Sequence, residues 1–279
     1  MIAALVALAL GTAAVQSCGA QPGTEALFAS GKPRIIWVGE GHGTQEQPRA
    51  FLTLVCLAER TGRPVVVALE RIQEEQPLWD AFLASDGGPE AQAALLKGAG
   101  WTSPTQDGRS SQAMAALAEQ LRREHAAGRI RRVKLIIPES PGELGPAQHE
   151  AAMANAVRAA AEADPDAWVL AYSGNVHANK ADVAFPGASY RPAASTLKPD
   201  EVTSVLLFTD GGSTWDCESG GCGPHEHPAN GHLTPAAIEA GSPWPKFDYT
   251  LSLGTLTHAS PPAARPAITT ELKRSPPTG

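Results

Sequence analysis

Short runs of apolar residues alternate with longer amphipathic stretches along most of this chain. Six runs predict buried strands because they are rich in β-branched and other apolar residues; they cover residues 34–38, 64–69, 133–137, 168–172, 202–208 and 247–253. Helical spacing predicts helices over 46–61, 74–84, 89–97, 110–127 and 146–163. Since strands that alternate with helices indicate βαβ units, we predict an α/β fold with a mostly parallel central sheet and helices on both faces.

Two segments depart from this alternation. Residues 210–246 are rich in Gly, Pro, Asp and His and predict a long irregular loop before the last strand. Residues 260–279 are rich in Pro and predict a disordered tail. The regular alternation between them and the N-terminal region predicts a single domain over residues 33–259.

The N-terminal residues 2–15 are uncharged and apolar. The run is too short to span a bilayer comfortably and is typical of the core of a secretory signal peptide. We predict a signal over residues 1–20, cleaved after Ala20, and export to the periplasm. Alternatively, residues 15–18 resemble a degenerate lipobox, in which Cys18 becomes a lipidated N-terminus that anchors the protein to the cell envelope.

An oxidising compartment changes what the cysteines beyond the signal are expected to do. Cys217 and Cys222 flank a Gly-rich loop and predict a disulfide, whereas Cys56 lies in an apolar helical run and predicts a small buried side chain. The spacing Cys217-x4-Cys222-x2-His225-x-His227 also suits zinc. In an exported protein, a disulfide with solvated histidines is favoured over that zinc site.

The overall charge excludes one class of partner. The chain has 22 Lys and Arg against 29 Asp and Glu, a net charge of -7, and no basic arm. Nucleic-acid binding depends on neutralising phosphates, so we expect no nucleic-acid partner.

Polar residues gather where the predicted strands end. The first strand ends in Glu40 and His42, the second in Glu70, and the fourth continues into Asn175 and His177. The third strand ends in a further carboxylate, Glu139. Ligands of open parallel sheets bind beyond the carboxyl ends of the strands, so we expect these groups to meet in one crevice.

Two kinds of chemistry suit these residues. Glu40 and His42 form a pair for general acid–base catalysis, in which the carboxylate holds the imidazole tautomer. Alternatively, His42, Glu70 and His177 ligate a divalent metal. Arg109, at the predicted start of a helix, is suited to binding an anionic substrate group. The chain has no Gly-x-Ser-x-Gly elbow, phosphate loop or His-Glu-x-x-His helix, which argues against serine-hydrolase, nucleotide-binding and zincin functions.

The order of these motifs resembles that of the superfamily of haem-binding uptake, Tiki and erythromycin-esterase-like proteins, also called the ChaN/EreA/TraB group. The resemblance covers about residues 33–262 and rests on blocks at 38–42, 68–70, 149–154 and 174–177. The Glu40-Gly41-His42 spacing is similar to that of the ChaN and Tiki branches, and residues 75–80 are most similar to the ChaN branch. His149-Glu150 stands where the superfamily usually has Arg-Asp.

The resemblance implies three activities. ChaN-like members are haem-binding lipoproteins, Tiki and TraB-like members are metal-dependent proteases, and the esterase-like members are hydrolases with a His base. We therefore predict a hydrolase of an ester or amide bond, either an esterase or a metal-dependent peptidase, acting on a small molecule or peptide.

In this prediction the catalytic and binding groups divide as follows. His42 activates water, oriented by Glu40, and Glu70 and His177 complete the site. Arg109 and Asn175 bind substrate. The alternative is a non-catalytic haem-binding protein, for which Tyr172 and Tyr190 are candidate iron ligands. Their positions favour a different interpretation, in which Tyr172 is strand core and Tyr190 is a loop aromatic.

Overall fold

A seven-stranded sheet forms the centre of the computed structural model, which describes residues 18–138, 144–185, 188–229, 231, 233–241 and 246–264. Seven strands form this sheet, and four more form two separate two-stranded sheets, β5 with β6 and β8 with β9. All the strands, in chain order, are β1 (Ile35–Glu40), β2 (Val65–Ile72), β3 (Ile130–Ile137), β4 (Trp168–Gly174), β5 (Val183–Phe185), β6 (Ala188–Tyr190), β7 (Val202–Phe208), β8 (Gly212–Glu218), β9 (Gly221–His227), β10 (Ala237–Ala240) and β11 (Tyr249–Ser252). The central sheet has the order β10-β11-β7-β1-β4-β2-β3. Its pairs are parallel except β10 with β11, which confirms the predicted sheet.

Helices cover both faces of this sheet. They are α1 (Glu46–Glu59), α2 (Gln76–Leu83), α3 (Pro89–Leu95), α4 (Gln112–Ala126), α5 (Pro146–Ala163), α6 (Asn175–Ala178) and α7 (Ala193–Thr196), with short 3-10 helices at Thr24–Phe28 and Gln73–Glu75. Phe51 of α1 and Leu121 of α4 pack in one apolar cluster, and Met153 and Val157 of α5 pack in a second cluster on the opposite face. The central strands β1 and β4 are buried along their whole length, which explains their continuous apolar runs.

Local sequence explains where the helices beside the site begin. The Thr44 hydroxyl accepts the Gln47 N–H at 3.3 Å and so caps the first turn of α1. The Ser111 hydroxyl accepts the Met114 N–H at 3.3 Å at the start of α4. These caps fix the turns that follow β1 and precede α4, and both turns carry predicted site residues.

The segment before the last strand is more regular than the predicted loop. Strands β8 and β9 form an antiparallel hairpin, and β10 pairs with β11 at the sheet edge. The predicted Cys217–Cys222 disulfide is present and joins residues directly opposite one another in the hairpin. The abundance of Gly, Pro, Asp and His had predicted a loop, but the hydrogen bonds between the backbones of these strands form without an apolar face.

The N-terminal end of the described chain packs on the domain. Cys18 forms a disulfide with Cys56 of α1, with Cα atoms 5.7 Å apart, and Leu27 and Phe28 are buried in the core. The prediction that Cys56 is a plain buried side chain was therefore wrong. A disulfide-bonded Cys18 has no thiol for a lipid, so this disulfide and lipidation are mutually exclusive, and cleavage after Ala20 would remove the same bond.

The two ends of the predicted domain are only partly described. Residues 1–17 of the predicted signal and residues 265–279 of the predicted tail lie outside the described residues. Ser260 is buried, and Pro262 bridges Ser111, so packing continues beyond residue 259. Among the described residues, no helix has the length and apolar character needed to cross a membrane.

Candidate active site

The turn after β1 holds a histidine against a buried carboxylate. Glu40 is the last residue of β1 and is 4% exposed, and the His42 Nδ1–H donates to its Oε1 at 2.9 Å. The Tyr172 hydroxyl of β4 donates to the other oxygen of Glu40. The Gly41 N–H donates to Gln47 Oε1 at 2.6 Å and fixes the turn between the two partners. Because the carboxylate accepts at Nδ1, the lone pair of neutral His42 lies on Nε2.

Glu70, from β2, lies between two imidazoles. Its Oε2 accepts the Gly174 N–H at 2.6 Å, and its Oε1 accepts from the Arg109 guanidinium at 3.0 Å. The Nε2 atoms of His42 and His177 lie 3.7 and 3.6 Å from Glu70, beyond ordinary hydrogen-bond length. Both Nε2 atoms therefore face the same carboxylate without being held by it.

His177, on α6, is fixed from its other side. Its Nδ1 lies 2.8 and 3.0 Å from the two oxygens of Glu150, a residue of α5 that is 2% exposed. Glu150 also accepts the Ala193 N–H at 2.8 Å. Two carboxylate–histidine pairs thus face each other across Glu70.

Burial and charge act in opposite directions on these groups. Burial disfavours the protonated form of both imidazoles, but the Glu70 charge and the hydrogen bonds to Glu40 and Glu150 outweigh it. The pKa of His42 lies above its usual value of 6.5, and that of His177 is raised to about 10. Burial also disfavours the Glu70 carboxylate, but the two imidazoles and Arg109 hold its pKa well below 4.5. The charges of the site therefore balance one another, because Glu70 is an anion and His177 is a cation at neutral pH.

Arg109 lies at the rim of this cluster. Its Nε donates to the Asp107 carboxylate at 3.0 and 3.1 Å, and its side chain is 40% exposed. The loop that carries it is packed closely, because a Cβ on Gly108 would lie 2.3 Å from the Gly43 nitrogen. The guanidinium is thus held between two carboxylates with one face open to the crevice.

The structure brings together five of the six predicted site residues. Glu40, His42, Glu70, His177 and Arg109 are joined by the contacts described above. Asn175 begins α6 next to them, but no hydrogen bond of its side chain joins it to the cluster among the described residues. Glu139 lies outside the described residues.

Sequence reasoning missed two members of the cluster. Tyr172 was interpreted as strand core, and it is buried, but its hydroxyl is bound to Glu40. Glu150 was noticed only as a departure from a family motif. A carboxylate within the Ala-rich, buried face of α5 was the signal that could have identified it, because buried charges need partners.

The predicted metal-ligand set, His42, Glu70 and His177, does not bring its three ligand atoms within 4.8 Å of one another in this arrangement. Within the described part of the chain, the group that brings three ligand atoms within 4.8 Å of one another is Asp216, Glu218 and His225, on the hairpin. In the crevice, Arg109 already places a positive charge on Glu70. The positive charge next to the Glu70 carboxylate is thus supplied by Arg109, a side chain of the protein itself.

Of the two tyrosines considered as ligands of haem iron, one is buried and has its hydroxyl already bound. Tyr172 is 1% exposed, and its hydroxyl is committed to Glu40. Tyr190, in β6, is partly exposed. Haem ligation through Tyr172 does not fit this packing.

Comparison with known proteins identifies the fold. No protein-family model and no curated protein matches the sequence. Among solved structures, an erythromycin esterase, EreC, as a mutant in its open conformation, is 12% identical with a TM-score of 0.59, over 83% of this chain and 92% of its own. A succinoglycan biosynthesis protein is 11% identical with a TM-score of 0.60, over 82% and 89%. A Bacillus cereus protein is 11% identical with a TM-score of 0.57, over 82% and 90%. The chain therefore has the fold of these proteins, over nearly their whole length.

Proposed function

We propose that this protein is an exported hydrolase that cleaves an ester or amide bond with a water molecule activated by His42. The observation that carries the proposal is the chain from Tyr172 through Glu40 to His42, which orients the imidazole by its Nδ1 and leaves Nε2 for a proton. A base oriented by a buried carboxylate is the arrangement that general-base catalysis requires. No serine or cysteine of the described residues takes part in this chain of contacts, so water is the nucleophile.

The charges of the neighbouring groups suit the later part of the reaction. Water loses its proton to His42 Nε2 as its oxygen attacks the carbonyl carbon. Negative charge then develops on the carbonyl oxygen, and Arg109 and the His177 imidazolium stabilise it. As the bond between the carbonyl carbon and the leaving group breaks, the His177 imidazolium donates a proton to the leaving group, and His42 releases the proton taken from water to solvent. The Glu70 carboxylate balances both cations, since it accepts from Arg109 at 3.0 Å and lies 3.6 Å from His177 Nε2. Asn175, beside the cluster, contacts the substrate.

The fold comparison favours an ester among the possible bonds. One structural neighbour is an erythromycin esterase, and the structural match extends over 83% of this chain. A low-molecular-weight ester is therefore the first substrate class to test, ahead of peptides.

The test measures hydrolysis of p-nitrophenyl esters, erythromycin and a casein peptide by the purified protein after chelator treatment. We expect His42→Gln to lower kcat/KM by about 10²–10⁴, the usual contribution of a general base. His258→Gln is the matched control, because that imidazole is 68% exposed and its partner among the described residues is Glu46. The proposal is wrong if His42→Gln, with an unchanged melting temperature, keeps full activity on a substrate that the wild type cleaves.

The same preparation tests the alternative and the export. A Soret band that appears on titration with haem, together with no hydrolysis, would favour the haem-binding function. N-terminal sequencing of protein from the periplasmic fraction would show whether a signal is removed and whether Cys18 is retained.

A further inference from the structure

The hairpin of β8 and β9 carries metal-ligating side chains on one face. Because alternate residues of a strand share a face, Asp216 and Glu218 of β8 lie on the same side as His225 and His227 of β9. Cys217 and Cys222 point to the other side, where they are joined. The cysteines and the histidines that sequence spacing grouped together are therefore separated by the sheet.

Asp216 is the centre of this face. Its carboxylate contacts His225 Nδ1 with one oxygen, and the other oxygen lies 3.4 Å from His227 Nε2. The Thr214 hydroxyl lies 2.7 Å from both Asp216 Oδ2 and His227 Nε2. Asp216, Glu218 and His225 each offer a ligand atom, and these atoms lie within 4.8 Å of one another.

The backbone opposite the carboxylates leaves room for an ion. Gly223 pairs with Asp216, and Gly221 pairs with Glu218. A Cβ placed on either glycine would meet no atom within 4 Å. The cross-strand disulfide lies one pair from Asp216 and fixes the register of the donors.

We propose that the hairpin binds a divalent transition metal ion of the zinc class through Asp216, Glu218 and His225, with His227 as a fourth donor. Imidazole nitrogen combined with carboxylate oxygen is a donor set that suits zinc, whereas calcium prefers six or more oxygens. Donor atoms around one zinc ion lie about 3.3–3.6 Å apart, because the bonds to nitrogen and oxygen are about 2.0–2.2 Å. The three ligand atoms lie within 4.8 Å of one another, so metal binding requires them to move closer together.

This site is separate from the crevice of the proposed hydrolase. The hairpin contacts the turn that carries His42 through the middle of β8, where the Trp215 N–H donates to the Gly43 carbonyl at 2.9 Å. None of its metal donors contacts His42, Glu70 or His177. Replacing a histidine of the crevice should therefore leave metal binding at the hairpin unchanged.

The test titrates Zn²⁺ into chelator-treated protein with its disulfides intact, using calorimetry and elemental analysis. We expect one Zn²⁺ per chain in the wild type. Asp216→Asn and His225→Gln should each raise Kd by more than about tenfold, since even outer-shell partners of a metal contribute 10–100-fold. Glu226→Gln is the matched control, because it removes an exposed carboxylate from the opposite face of the same strand.

His42→Gln protein distinguishes this site from the crevice. It should bind Zn²⁺ as the wild type does. The proposal is overturned if no Zn²⁺ binds, if His42→Gln abolishes binding, or if Asp216→Asn and His225→Gln both bind normally. Binding of Ca²⁺ as tightly as Zn²⁺, or Zn²⁺ binding only after reduction of the disulfides, would also overturn it.

Discussion

The two ends of the central sheet both carry ion pairs, but the compared pairs differ in how deeply their carboxylates are buried. At the amino end, Arg131 bonds Asp166 at 3.0 Å, and the two side chains are 41% and 60% exposed, although the neighbouring Asp164 is buried. At the carboxyl end, Glu40 and Glu70 are 4% and 6% exposed. Water screens the first set, whereas the second set depends on its protein partners. Ion pairs with similar N–O distances thus contribute differently to stability in water and in the protein interior. The buried charges lie at the carboxyl end of the sheet, which is therefore the end where catalysis is expected.

The largest effect is expected from removing the central carboxylate. Glu70→Ala leaves Arg109, His177 and the Gly174 N–H without their shared acceptor. Breaking a buried ion pair from one side costs about 3–5 kcal/mol, so the free energy of unfolding in urea should fall by about that amount at pH 7. Glu70→Gln, which keeps an acceptor oxygen, should lose less.

The amino end supplies the control for this change. Asp166→Ala removes a carboxylate that bonds Arg131 in solvent, and the urea midpoint should stay within experimental error. Equal losses at the two ends would show that burial does not separate them.

A second difference lies in the backbone turns at the two ends. Gly43 has φ 79° at the carboxyl end, and a Cβ there would lie 1.9 Å from the Trp215 carbonyl oxygen. Gly62 has φ 78° at the amino end, with nothing within 4 Å of such a Cβ. Both Gly→Ala variants incur the strain of positive φ, about 1–2 kcal/mol. Gly43→Ala should lose about 1–3 kcal/mol more, the usual cost of overpacking.

Comparing the urea unfolding of Gly43→Ala and Gly62→Ala isolates the effect of the contact between residue 43 and Trp215. The difference between them measures the close packing of the hairpin against the turn that carries His42. An identical loss in both variants would mean that this packing relaxes freely.

The pH dependence of stability should also differ between the ends. His177 has its pKa raised to about 10 in the folded protein, against about 6.5 unfolded, so the folded state binds more protons between these values. The stabilisation is complete below pH 6.5 and is lost as pH rises towards 10, with a slope of at most about 1.4 kcal/mol per pH unit.

His177→Gln should remove this slope from the unfolding free energy measured between pH 6.5 and 10. His258→Gln, at the exposed control position, should retain it. A wild-type stability that is flat over this range would contradict the assignment of His177 as a buried cation.

The strand ends were predictable from sequence because they depend on local pattern. Continuous apolar runs indicated β1, β2 and β4, and the polar residues that follow each run had to share one edge of a parallel sheet. Glu40, His42 and Glu70 were found in this way. The Thr44 cap was predictable for the same reason, since its partner is three residues away.

The remaining partners were not predictable, because they come from distant parts of the chain. Glu150 reaches His177 from α5, across a separation of 27 residues. The Cys18–Cys56 bond joins residues 38 apart, and the donors of the hairpin share a face only once the register of β8 and β9 is known. Sequence spacing grouped Cys217 with His225, whereas strand alternation places them on opposite faces.

The smallest effect is expected from replacing Tyr172, the residue farthest from the imidazole in the hydrogen-bonded series Tyr172–Glu40–His42. Tyr172→Phe removes the hydroxyl that shares the Glu40 charge, so the carboxylate then acts more strongly on protonated His42. The pKa of His42, already above 6.5, should rise further by less than about one unit, since one hydrogen bond contributes about 1 kcal/mol. The base is active when deprotonated, so the rising limb of kcat/KM against pH should move to higher pH, in step with the His42 ring signals in an NMR titration. Tyr249→Phe, which removes a hydroxyl bound by Lys32 at the sheet edge, should leave both unchanged. An unmoved titration in Tyr172→Phe would mean that the phenol only fills space beside Glu40.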